Sequence, residues 1–141
     1  MRRSIRFACT AAAATLLLGS AASAQVASAQ VTPVKDTSGP LSASMVPSTH
    51  HPKVNAKWPL KVTATLHGKP AHATAVYEFL FGGSVVSTQY VHSNKHFSFT
   101  GHFSDDLVFP PASEGEPLTL SVVIAADGHK VSLEWTITSV S

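Results

Sequence analysis

His96-Phe97-Ser98-Phe99-Thr100-Gly101-His102-Phe103 alternates large apolar and polar residues almost without a break. Successive side chains of an extended strand point to opposite faces, so Phe97, Phe99, Gly101 and Phe103 share one face and His96, Ser98, Thr100 and His102 the other. A helix would scatter the phenylalanines around its circumference. The segment reads as a half-buried β-strand whose aromatic row enters a core and whose polar row meets solvent.

The same texture extends in both directions from Lys57 to the end of the chain. Short runs rich in Val, Thr, Phe and Tyr are interrupted every eight to twelve residues by Gly, Pro, Asn or Asp, the spacing of a sandwich or barrel. Seven strands are expected: Trp58 to Leu66, Ala73 to Phe81, Val85 to His92, His96 to Phe103, a short one at Leu107-Val108-Phe109, Leu118 to Ala126, and Lys130 to Thr138. His67-Gly68-Lys69-Pro70, Gly82-Gly83 and Asp127-Gly128 supply turns between them. Leu118, Leu120, Val122 and Ile124, then Val131, Leu133, Trp135 and Ile137, form two further inward rows.

The first part of the 141-residue chain has a different character. Arg2, Arg3 and Arg6 precede an apolar run from Phe7 to Leu18, and small residues follow from Gly19 to Ala24. This is the order of a secretory signal, with cleavage expected after Ala24 or Ala29. The apolar run is about twelve residues, short of the ~20 a membrane-spanning helix needs, so no span is expected after cleavage. Residues 1–29 are thus read as a signal peptide. Residues 30–56, with Pro33, Pro40, Pro47 and Pro52 among Ser, Thr and Ala, are read as a flexible linker, and 57–141 as the folded domain.

Removal of the signal changes the charge. It contains every arginine, leaving seven lysines against eight carboxylates, a formal charge of −1. Nucleic-acid binding relies on clustered Lys and Arg to neutralise phosphates, and no such cluster remains. Cys9 is the one cysteine and also lies in the signal, so the exported domain would have no disulfide and no thiol nucleophile. No nucleophile–base motif, P-loop or H-E-x-x-H sequence occurs, and an enzyme is not expected.

The order of strands, the Trp58-Pro59 opening and the Tyr77-Glu78-Phe79-Leu80-Phe81-Gly82-Gly83 segment before a hairpin resemble the bacterial immunoglobulin-like domains of exported and cell-surface proteins. The resemblance implies an all-β, immunoglobulin-like seven-stranded antiparallel β-sandwich, preceded here by the signal peptide and a disordered linker. It implies a structural or protein-interaction role, with a protein or cell-surface component as partner and no cofactor required for folding. The Cys, Trp, Cys arrangement of antibody domains is absent.

Chemistry, if any, is expected from the eight histidines. With strands running up and down, His67 and His72 flank one turn and His92 and His96 the next. A hairpin between the third and fourth strands would set His92 opposite His96, about 5 Å apart at Cβ. Two imidazoles so placed can chelate Zn²⁺ or Cu²⁺, with His67, His72 or the His50-His51 pair as further ligands. The competing reading is that histidines near turns are simply soluble surface groups. Asp105, Asp106 and Asp127, with His102 and His129, are expected together at the opposite end, too few oxygens for a Ca²⁺ site. For a carbohydrate or small ligand, Trp58, Tyr90 and Trp135 are the stacking candidates, Trp135 standing on an inward row.

Overall fold

The computed structural model describes residues 31–89 and 96–141. The expected signal peptide, Tyr90 and His92 lie outside the described residues. Ten strands follow one another among the described residues: β1 (Val34–Ser38), β2 (Leu41–Pro47), β3 (Lys57–Leu66), β4 (Lys69–Pro70), β5 (His72–Phe81), β6 (Ser84–Gln89), β7 (Phe97–Thr100), β8 (His102–Val108), β9 (Pro117–Ala126) and β10 (His129–Thr138). They form two antiparallel sheets packed as a sandwich.

Alternation positions the core. In β3, Trp58, Leu60, Val62 and Ala64 are buried while Lys57, Pro59, Lys61 and Thr63 are exposed. Ala73, Ala75, Tyr77 and Phe79 of β5 and Val131, Leu133, Trp135 and Ile137 of β10 are buried in the same manner. The first sheet has the order β1-β2-β3, and β4 and β8 share the far side of β3. The second has the order β10-β9-β5, and β6 and β7 share the far side of β5.

The expected linker over 30–56 is corrected: its central part is a β-hairpin. Leu41, Ala43 and Met45 are buried, and β2 pairs in register with β3 from Leu41↔Leu66 to Pro47↔Leu60. The prolines punctuate this hairpin rather than disrupt it, Pro33 preceding β1, Pro40 lying in the turn and Pro47 ending β2. The small Ala43 in the buried row, between the small Ser42 and Ser44, masks the period. The remainder of the segment is pinned as well. Val54 N–H donates to the Val140 carbonyl and Asn55 N–H to the Phe109 carbonyl, both at 2.9 Å. The Thr49 carbonyl accepts both indole N–H groups, from Trp58 at 3.0 Å and Trp135 at 3.2 Å.

A second correction concerns the His96–Phe103 stretch. Its aromatic row is packed as expected, Phe97 meeting Phe103 edge-to-face at 4.9 Å and Phe99 meeting Phe103 at 4.8 Å. Yet it is not one strand. The chain leaves the second sheet at Thr100 and enters the first at His102, so β7 pairs with β5 and β8 with β3. Gly101 makes the crossing at φ +73°, a conformation that L side chains rarely adopt. Its N–H donates to the Ala71 carbonyl and its own carbonyl accepts from Ala64 N–H, each at 2.8 Å. Beside it, Ala71 carries the chain from β4 to β5 and so between the sheets in the opposite sense. The two crossings approach so closely that a Cβ on Gly101 would stand 2.9 Å from Pro70 Cβ. The expected short strand at Leu107 is the end of β8, and seven strands become ten.

The sandwich therefore has two unlike sides. On one, the Asp36 carboxylate of β1 accepts the Ser132 N–H of β10 at 3.2 Å and latches the sheets together. On the other, the crossings stitch one end, and the edges of β6 and β8 stand apart toward the opposite end.

Candidate functional site

Of the four histidines expected to hold a metal, His67, His72 and His96 lie among the described residues. β6 and β7 do not pair with each other; both pair with β5, running in the same direction along its far side. His92, and with it the expected placement of His92 opposite His96, lies outside the described residues. His96 precedes β7, whose Phe97 pairs with Ala75, whereas His72 pairs with Thr100. Four residues of strand separate the two, about 13 Å at ~3.3 Å per residue. The His72 Nδ1 lies 3.1 Å from Thr100 Oγ1, and His67 sits in the β3–β4 turn at φ +51°. No group of three or more His, Cys, Asp or Glu side chains is disposed to hold a metal among the described residues.

The expected acidic end is also dispersed. Asp127 lies in the β9–β10 turn, while Asp105 and Asp106 pair with Leu60 and Pro59 partway along β8, an outer strand of the first sheet. Asp105 faces inward and accepts the Tyr77 hydroxyl at 3.0 Å, joining the two sheets. Burial raises the Tyr77 pKa well above the ordinary tyrosine range, and the charge of Asp105 and the hydrogen bond to it add to the rise. The two tryptophans are buried too, with His50 stacked on Trp135 at 3.8 Å. Neither forms an exposed shelf for a sugar.

What the fold assembles instead is an apolar groove at its open side. Gly82 and Gly83, both at positive φ, close a tight two-residue hairpin between β5 and β6. A bulge between Phe79 and Leu80 disturbs the ladder: Phe79 pairs with Ser87 but Leu80 with Val85, so Val86 is the extra residue. Val86 lines the groove with Phe79 and Leu118 of the same sheet, and Val108, Phe109 and Pro110 form the opposite side, enclosing about 300 Å³. Phe79 and Phe109 meet edge-to-face at 5.8 Å. The groove continues past Phe81 and Ala112, where Glu116 is the charged residue at its mouth.

Phe81 is 47%, Val85 52%, Val86 57% and Val108 48% exposed, high values for large apolar side chains. The outward side chains of the first sheet, Lys57, Lys61 and Thr63 on β3 with Ser42 and Ser44 on β2, make a polar contrast. Ser87 and Ser113 supply hydroxyls to the groove, and that of Ser113 donates to the Pro110 carbonyl at 2.7 Å. The arrangement can cover apolar side chains and offer strand-edge hydrogen bonds. Its lining carries no nucleophile–base pair.

Sequence reasoning placed these residues in strands without marking them as a site. Two signals were present: the adjacent pairs Val85-Val86 and Val108-Phe109 break alternation, and Phe79 to Val91 contains no charged residue. Comparison with models of known families gives no match for this chain, and comparison with curated proteins gives none either.

Proposed function

We propose that this domain is an immunoglobulin-like interaction module of an exported protein, and that it holds a protein partner along β6 and in the groove beside it. The observation that carries the proposal is the gathering of Phe81, Val86 and Val108, each about half exposed, around an opening between two strand edges that have no further strand partner among the described residues, with Val85 half exposed beside it on the outer face. Soluble proteins protect such edges with charge, proline or cover, and contiguous exposed apolar surface marks places where other chains bind. Addition of an extended segment to β6 would pair its free backbone groups and place alternate side chains over the groove, a recurring mode of peptide recognition. Export is supported by the basic, apolar, small-residue order of the first 29 residues. The immunoglobulin-like assignment is supported by the sandwich architecture together with the Trp58-Pro59 and Tyr77 to Gly83 segments.

The test is binding of the purified protein to envelopes of the cell that produces it. Wild type is expected to co-sediment saturably. Val86→Lys, which puts a charge on an exposed position of the groove, is expected to bind at least tenfold more weakly, and Lys61→Glu on the outer face of the first sheet to bind as wild type does. Equal binding of wild type and Val86→Lys would overturn the proposal.

A further inference from the structure

We infer that the occupant of the β6 edge is the β6 strand of a second copy, so that two domains pair about a two-fold axis; this rests on the reading of β6 as the docking edge. The argument begins with charge. Ser84-Val85-Val86-Ser87-Thr88-Gln89 has no charged residue and no proline. The other outer strands of five residues or more are all charged: Lys35 and Asp36 on β1, Asp105 and Asp106 on β8, Lys130 and Glu134 on β10. β7 is uncharged but has only four residues and ends in the Gly101 crossing, and very short strands are themselves a form of edge protection.

An antiparallel pair of like strands around a two-fold axis sets residues equidistant from the axis opposite one another. On β8 that sets Asp105 and Asp106 against like charge, which destabilises a ladder, and β1 and β10 avoid such a clash only in the registers that set Lys35 against Asp36 or Lys130 against Glu134. β6 brings only Ser, Val, Thr and Gln to the contact. An edge without charge is thus matched to itself, and the contact closes as a dimer without leaving a free β6 edge.

The surroundings of β6 suit the same partner. Val85 pairs with Leu80, and Leu80 is only half-buried on the outer face of the second sheet. Pairing of two β6 strands makes the second sheet continuous across both copies and joins the two Leu80–Val85 rows. On the inner side, the added strand stands over the mouth of the groove and covers Val86 and Val108. A six-residue strand with these few side chains is smaller than a stable interface of ~1,200–2,000 Å² in total, so a weak dimer is expected, with a dissociation constant on the order of 10–100 μM.

Sedimentation equilibrium of the purified protein from about 5 to 500 μM tests this. Wild type is expected to pass from monomer to dimer, Val86→Lys to remain monomeric throughout, and Lys61→Glu to dimerise as wild type does. Melting temperatures of the variants within a few degrees of wild type will show that each is folded. A wild-type protein that stays monomeric to 500 μM, or a dimer that Val86→Lys leaves intact, overturns the inference. A monomeric wild type whose envelope binding is still lost in Val86→Lys would refute the second copy while preserving the docking edge. Envelope binding unaffected by Val86→Lys would refute the edge itself.

Discussion

Replacement of Gly101 by alanine tests the crossing on which this architecture depends. Two separate costs are expected. Gly101 has φ +73°, and holding an L-residue there costs roughly 1–2 kcal/mol. The new methyl group would also stand 2.9 Å from Pro70 Cβ. That atom belongs to a rigid ring beside the backbone of the second crossing, so relief requires the two crossings to part. Parting strains the bonds from Gly101 N–H to Ala71 O and from Ala64 N–H to Gly101 O, each 2.8 Å and each worth about 1 kcal/mol. The combined loss is about 2–4 kcal/mol. For a domain of this size that lowers the melting temperature by roughly 10–20 °C. Gly128→Ala provides the control, because Gly128 has φ +74° but nothing within 4 Å of its added Cβ, leaving about 1–2 kcal/mol of strain alone. Urea denaturation of both variants measures the difference. Equal losses for Gly101→Ala and Gly128→Ala would refute the close packing of the crossings.

Three further outcomes are expected. Leu41→Ala, which truncates a fully buried side chain of β2, should cost about 2–5 kcal/mol in urea denaturation, whereas in a flexible linker it would cost nothing. Tyr77→Phe removes a buried hydroxyl whose folded-state pKa is raised above the ordinary value of 10.0. The corresponding stability is present below pH 10 and is lost as pH rises from there toward the folded pKa, at up to ~1.4 kcal/mol per pH unit. Stability measured from pH 8 to 11 should therefore fall more steeply in wild type than in the variant; parallel curves would contradict this. Zn²⁺ or Cu²⁺ titrations followed by melting temperature should give the same curve for wild type and for the His67→Ala/His72→Ala/His96→Ala variant, and a saturable stabilisation lost in the variant would show convergence of these rings.

The strands that were legible in sequence are those whose inward and outward residues differ most. Trp58 to Leu66, Ala73 to Phe81, Leu118 to Ala126 and Lys130 to Thr138 lie within a residue of β3, β5, β9 and β10 at each end, because bulky apolar residues alternate there with Lys, Thr, Ser or Glu. β2 was obscured because its outward residues include Ser42 and Ser44 and its inward row includes only Ala43 between Leu41 and Met45. Gly101 hid its crossing for a different reason. It occupies the inward position between Phe99 and Phe103, so period two runs through the change of sheet without a gap. The histidine scheme assumed a hairpin between the third and fourth strands, and adjacency in sequence said nothing of whether β6 and β7 pair with each other or with β5. The groove draws on Phe79, Val86, Val108 and Leu118, which come from four parts of the chain. Pattern within one strand carries no information about such a meeting.

Amide hydrogen exchange along Ser84–Gln89 measures the central claim most directly, because a free strand edge exchanges its outward-pointing N–H groups and a paired edge protects them. In dilute wild-type protein these amides should exchange rapidly. At several hundred micromolar, or with envelopes of the producing cell, they should slow at least tenfold, and the same conditions should leave β1 and β10 unchanged. Protection that rises on β1 or β10 while Ser84–Gln89 stays fast would contradict the account.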